Sequence, residues 1–235
     1  GTGDYTYIKP STAVNFYRYS ILNNTYTALL SVPATSGGGA DMVYVSSTNA
    51  LYMIKGGNTN IFYRYNIGPN TWDTLTACTS NVSTGGFLVY PGSGDFMYCA
   101  PGGNTNTFLR YSISGNSWLA MTSLTTTFNY GAEGAHPGSG DFIYATRGSG
   151  AQEFWRYSIS GNSWLQMTSN QFYGMSYGTD LSAPGDGYIY CTQGGTGTGF
   201  SRYSITGNVW TTLAVSPVGV YQDGKMAYIA SLNAI

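Results

Sequence analysis

Side chains along residues 62–67 alternate, with Phe62, Arg64 and Asn66 on one side and Tyr63, Tyr65 and Ile67 on the other. A period of two is that of a β-strand. Gly68-Pro-Asn70, and Ser114-Gly-Asn116 further along, supply turn chemistry ahead of a strand that carries a Trp. Pro91-Gly-Ser-Gly-Asp95 and Pro137-Gly-Ser-Gly-Asp141 make a second turn, leading into Phe96-Met-Tyr98 and Phe142-Ile-Tyr144. The pattern predicts four short strands per unit, near 86–90, 95–100, 107–113 and 117–121 in the unit around Arg110. No stretch shows helical periodicity.

The unit repeats. Arg18-Tyr19, Arg64-Tyr65, Arg110-Tyr111, Arg156-Tyr157 and Arg202-Tyr203 stand 46 residues apart, and seven residues after each Tyr comes Tyr26, Trp72, Trp118, Trp164 or Trp210. Tyr111-Ser-Ile-Ser-Gly-Asn-Ser-Trp118 returns unchanged as Tyr157 to Trp164. A four-stranded sheet this small cannot bury its own faces, whereas five stacked around an axis can. The prediction is an all-β, five-bladed β-propeller with four-stranded blades, forming a single domain over 1–235.

The layout resembles the kelch repeat: an apolar strand ending in a Gly doublet (Gly56-Gly57, Gly102-Gly103, Gly194-Gly195), then Tyr, then Trp after six intervening residues. Gly148-Ser149 keeps half the doublet and Ser11-Thr12 lacks it; five blades of 46 residues are also few and short for that family. The resemblance implies that Tyr and Trp pack between blades and that one face of the disk carries the ligand.

Phase at the termini predicts how the ring closes. Gly3-Asp4-Tyr-Thr-Tyr7 matches the second strand of a unit, and Tyr228–Ala234 matches Tyr44–Ala50, an inner strand. The C-terminal segment is therefore expected to supply the inner strand of the first blade. A start at Gly1 without Met suggests a processed or excised piece of something larger.

Composition narrows the function. Charged residues are 8% of the 235, with 9 Lys+Arg against 10 Asp+Glu. So little positive charge excludes a charge field for nucleic acid or anionic membrane, and no apolar run is long enough to span a bilayer. Abundant Gly, Ser, Thr, Asn and Tyr resembles surface proteins of bacteria and phages, so the expected location is extracellular, cell-surface or virion-associated. Cys78, Cys99 and Cys191 are expected as three free, buried thiols.

Turns around Gly115-Asn116 and Gly92-Ser-Gly94 barely change between units, but two loop sets on the opposite face do. These supply Asn60, Asn106, Phe128, Tyr130, Phe172, Tyr173, Tyr177 and Tyr221 as candidate ligand contacts, since rings stack on sugar faces while amides read hydroxyls. Aligned on the Trp positions, Asp41, Phe87, Glu133, Asp180 and Lys225 become equivalent and should meet at the channel mouth on that face. Three carboxylates there suit a Ca²⁺ ion, a sugar or an acid/base pair; no other cofactor is implied. The repeat arginines are expected to pair with Asp4, Asp95, Asp141 and Asp186. His136, the one histidine, takes a position held elsewhere by Tyr or Ala and reads as packing.

The expected function is non-enzymatic recognition of a glycan or a surface partner. A structural module of a phage tail, capsid or cell surface comes second, and a hydrolase or lyase using the channel carboxylates third.

Overall fold

The computed structural model describes residues 4–10, 13–171, 174–221 and 224–226. The strands form five antiparallel sheets in sequence order. Blade 1 holds β1 (Tyr5–Ile8), β2 (Tyr17–Ser20) and β3 (Thr25–Ala28); blade 2 holds β4 (Asp41–Val45), β5 (Ala50–Ile54), β6 (Phe62–Asn66) and β7 (Thr71–Thr74). Blade 3 is β8 (Phe87–Val89), β9 (Phe96–Ala100), β10 (Leu109–Ser112) and β11 (Ser117–Ala120). Blade 4 is β12 (Ala132–Ala135), β13 (Phe142–Arg147), β14 (Phe154–Ser158) and β15 (Ser163–Met167); blade 5 is β16 (Asp180–Ser182), β17 (Tyr188–Thr192), β18 (Phe200–Ser204) and β19 (Val209–Thr212). The inner strands β4, β8, β12 and β16 neighbour one another around the axis. This is the five-bladed propeller that the repeat predicts.

Residues 227–235, to which the fourth strand of blade 1 was assigned from sequence, lie outside the described residues. The residues just before them keep the repeat. Asp41 accepts the Leu88 N–H (2.8 Å) from the inner strand of the next blade, and Asp180 accepts the Met226 N–H in the same way. Lys225 and Met226 thus stand where an inner strand would start beside blade 5.

Between blades, an aromatic triad recurs. Phe62 of blade 2 meets Tyr111 and Trp118 of blade 3 edge-on at 4.9 and 5.1 Å. Phe16, Phe108 and Phe154 repeat this with Tyr65/Trp72, Tyr157/Trp164 and Tyr203/Trp210. Such edge contacts are worth about 0.5–1.5 kcal/mol each beyond area burial.

Polar ends of the same residues grip the preceding blade. Trp118 Nε1 donates to the Thr76 carbonyl (3.0 Å), and Asn116 Oδ1 accepts the Thr76 N–H (3.0 Å), so both peptide groups of one residue are held. Leu30, Thr122 and Thr168 are held likewise by Trp72/Asn70, Trp164/Asn162 and Trp210/Asn208. Asn116 also accepts from the Tyr111 hydroxyl (2.7 Å), in a turn where its φ is 43°. Asn tolerates this left-handed conformation better than most residues, which accounts for its presence in every outer turn.

The repeat arginines do not pair with the expected aspartates. Guanidinium groups of Arg18, Arg110, Arg156 and Arg202 lie over the rings of Tyr5, Phe96, Phe142 and Tyr188 at 4.0–4.3 Å. The aspartates are occupied by the neighbouring turn: Asp95 accepts from the Ser112 hydroxyl (2.6 Å) and the Ser114 N–H (2.8 Å), and Asp141 from Ser158 and Ser160. Asp4 holds Ser20 and Leu22, and Asp186 holds Tyr188 and Tyr190. Where the ring is missing, the arginine changes partner. Ala50 stands at the ring position of blade 2, and Arg64 instead bonds Asp73 at 2.7 Å.

Asn116→Gly keeps the left-handed turn accessible and removes the amide. Two hydrogen bonds at about 1 kcal/mol each are then lost. We expect a loss of about 2 kcal/mol in urea unfolding. Asn24→Gly should cost less, because Asn24 holds the Tyr19 hydroxyl while Tyr26, in the Trp position, is 67% exposed; equal losses would show that the grip on the neighbouring blade is energetically idle.

Candidate functional site

Inner strands begin on the face that carries both variable loop sets. Isolated bridges Thr59↔Val82 and Thr105↔Phe128 tie each β5–β6-type loop to the following inter-blade loop, so the two sets do share a face. Around the mouth, successive inter-blade loops press on one another. At Gly131 and Gly178, φ is 77° and 83°, and a Cβ would overlap the carbonyls of Ser176 and Tyr221 in the next loop. Glycine is required there because backbone touches backbone.

Blades 4 and 5 carry matching residues at this mouth. Tyr130 and Tyr177 occupy equivalent loop positions, since Ser149 and Gly195 donate in the same way to their carbonyls (both 2.8 Å). Their rings stack at 5.0 Å with 16° between planes. Three residues on, Glu133 and Asp180 open the inner strands. The Glu133 N–H donates to Thr146 Oγ1 (3.0 Å) and the Asp180 N–H to Thr192 Oγ1 (3.1 Å). Blade 3 has Thr84, Phe87 and Ala100 at these positions, and blade 2 has Gly38, Asp41 and Ile54. The Tyr–acid–Thr set thus belongs to one sector of the ring.

Lys225 joins that sector. Its Nζ donates to Glu133 Oε2 and, at 3.2 Å, to Asp180 Oδ1. Glu133 and Asp180 are buried, while the Lys225 side chain is half-exposed. Burial pushes the Glu133 carboxyl up to about 8; Asp41 and Asp180 add to the rise and Lys225 opposes it. Asp180 is raised for the same leading reason. Desolvation pulls Lys225 down, but the charges of Glu133, Asp41 and Asp180 outweigh it and hold the ammonium well above its ordinary value. One ammonium among three carboxyls leaves room for a retained proton. Among the described residues no three metal-ligating side chains converge, and the Lys225 ammonium is shared by two of the carboxylates.

Other predicted contacts are placed differently. Asn60 and Asn106 are exposed on the variable face, on the loops between the second and third strands, where their carbonyls accept the Cys78 and Leu124 N–H groups. Tyr221 is 54% exposed in the loop after blade 5. Phe128 is fully buried against Phe87 and Trp164 and offers nothing to a ligand. Phe87, also at 0% exposure, is core rather than mouth. Phe172 and Tyr173 lie outside the described residues. Thr146 and Thr192 were missed from sequence, although comparison with Ala100 and Ile54 already marks them as the polar exceptions at an apolar position. His136 is structural: Gly138 N–H donates to its Nδ1 and its Nε2 faces the Gly140 carbonyl at 3.2 Å.

No protein-family model matches the chain, and no curated protein matches it. Among solved structures the chain is similar to that of YjhT, with a TM-score of 0.76 over 93% of this chain and 83% of YjhT at 13% identity. At that identity the likeness speaks to the propeller fold. No helix among the described residues is long and apolar enough to cross a membrane.

Glu133 sets a pH dependence. Its carboxyl is raised in the folded chain, so its contribution is complete below the ordinary value near 4.5 and is lost as pH rises through about 8. His136 is lowered by burial and acts with the opposite sign, but below its ordinary 6.5. Between pH 6.5 and 8 we therefore expect unfolding free energy to fall by about 1–2 kcal/mol, from the linkage slope of one retained proton. Glu133→Gln should flatten that decline; an unchanged slope in the variant would assign the proton elsewhere.

Proposed function

We propose that the protein is a non-enzymatic recognition module that binds glycans at the channel mouth, in the sector formed by blades 4 and 5. The stacked pair Tyr130–Tyr177 carries this reading. Tyr177 is 37% exposed and stacks on Tyr130, and the loops that carry the two rings lead, three residues on, into Glu133 and Asp180, which share the Lys225 ammonium. A sugar presents an apolar C–H face to an aromatic ring and hydroxyls to carboxylate and ammonium. Both kinds of group belong to the blade 4–5 sector, the rings in the inter-blade loops and the charged groups at the inner strands that follow. A carboxyl that retains its proton donates a hydrogen bond as well as accepting one, which widens the hydroxyl patterns it reads.

The exposed rim supports a second reading, assembly on a virion or cell surface. Leu119 and Leu165 occupy the same position in β11 and β15 and are 54% and 53% exposed. Two adjacent blades thus present apolar side chains outward, as a docking edge would.

A glycan array probed with the wild-type chain, Tyr177→Ala and Leu165→Asp separates the two. Glycan recognition predicts reproducible binding that Tyr177→Ala weakens by about tenfold or more, the loss of one stacked ring, and that Leu165→Asp leaves intact. No binding by the wild-type chain would remove the glycan reading and leave assembly through the rim.

A further inference from the structure

At three blade junctions, one side chain from the loop after the outer strand shares a core cluster with a second-strand residue of the next blade, 21 positions on. Val32 and Met53 pack in one core cluster, and Leu124 and Ala145 in another. Between blades 2 and 3 the same two positions are Cys78 and Cys99, both in one cluster and 1% and 0% exposed. The repeat thus brings two thiols from neighbouring blades into one cluster, at positions that are hydrophobic between blades 1 and 2 and between blades 3 and 4. Cys191 is equivalent to Cys99, but its loop counterpart is Asn170, so its thiol has no sulfur partner at that contact.

We propose that Cys78 and Cys99 form a redox pair, which a peroxide converts into a disulfide stapling blade 2 to blade 3. The two thiols differ in a way that suits the chemistry. Hydrogen bonding from Cys99 holds the Cys78 thiol below the usual range, helped by the Ser80 and Thr79 backbone. Burial, followed by the neighbouring Cys78, raises Cys99. Cys78 is the nucleophile because the thiolate is the reactive form. Its sulfur attacks one peroxide oxygen, the O–O bond breaks, and the other oxygen leaves as water after taking a proton; Cys78 becomes a sulfenic acid. Cys99 then attacks that sulfur, the S–O bond breaks, and a second water leaves with the Cys99 proton. Two thiols are oxidised and one peroxide is reduced to two waters.

Hydrogen peroxide is small enough to reach thiols this buried during local opening of the 76–84 loop. The experiment treats the folded wild-type chain with hydrogen peroxide, quenches with an alkylating agent under denaturing conditions and counts free thiols. No Lys or Arg lies between Arg64 and Arg110, so trypsin leaves both cysteines on one peptide; a protease cutting before Asp73 and Asp95 separates them. The expected result is one free thiol per chain, at Cys191, and a linked pair of peptides carrying Cys78 and Cys99. Melting temperature should rise by about 5–10 °C, from closing a loop of this length in the unfolded chain, and fall back after reduction. Cys99→Ser should leave Cys78 unlinked under the same treatment. Three remaining thiols in the wild-type chain, a link through Cys191, or Cys78 oxidised to sulfinic acid without a link would each overturn the proposal.

Discussion

Blades must be held to one another without a continuous sheet, and at the four junctions from blade 1 through blade 5 the interaction that does this is a grip on a single residue's backbone. Trp118 and Asn116 hold the carbonyl and the N–H of Thr76. The loop leaving a blade would otherwise present these groups near an apolar boundary, where an unpaired group costs about 1–3 kcal/mol. Pairing both to one turn of the neighbour makes angular spacing between blades a consequence of hydrogen-bond length. Aromatic triads then fill the space so defined, with Phe62 edge-on to Tyr111 and Trp118. The polar grip sets the geometry, and the rings supply most of the burial.

That division explains what was legible in the sequence. Tyr and Trp recur at constant spacing because each carries an aromatic body and a polar tip, and both ends are used. Blade number, strand order and the shared face of the variable loops follow from the spacing alone. The Arg–Asp pairing did not follow, because sequence proximity is silent on which of two local partners wins. Each aspartate had a hydroxyl and a backbone N–H already within reach, as Asp95 has in Ser112 and Ser114 and Asp186 has in Tyr190 and Tyr188. Each arginine had a cross-strand ring to lie on, as Arg110 has in Phe96. Arg64 shows the rule by exception, turning to Asp73 where Ala50 removes the ring.

The candidate site was legible in part for a related reason. Asp41, Glu133, Asp180 and Lys225 align because inner-strand starts are fixed by the repeat, and Lys225 does reach Glu133 and Asp180 across the mouth. Phe128 was misjudged because an aromatic in a variable loop has the same appearance in sequence whether it faces solvent or a neighbouring blade. The bridge between Phe128 and Thr105 turns it inward to Phe87. The closeness of Cys78 and Cys99 was not legible from like positions, because the equivalent of Cys99 in another unit is Cys191, not Cys78. Away from the axis, equivalent positions lie in different blades and stay apart, and the contact between blades runs between non-equivalent positions of adjacent units; only near the channel do equivalent residues meet, as Tyr130 and Tyr177 do.

Function in such a molecule resides where the units disagree. A repeat residue is constrained by two neighbours, so any side chain serving the ring tends to recur. Tyr130 with Glu133 and Thr146, and Tyr177 with Asp180 and Thr192, recur in two units; blade 3 has Thr84, Phe87 and Ala100 in the same places, and blade 2 keeps the acid alone, as Asp41 with Gly38 and Ile54. Asp41 accepts the N–H of Leu88 in the neighbouring inner strand and Asp180 that of Met226, so an acid there serves the ring, whereas Phe87 shows that an apolar residue also fits. Burial raises the Glu133 carboxyl to about 8, a cost that blade 3 avoids with Phe87 at the same position. Glu133 and Asp180 are thus held against desolvation in one sector of the ring by the Lys225 ammonium, and the loops leading into that sector carry the stacked pair Tyr130–Tyr177.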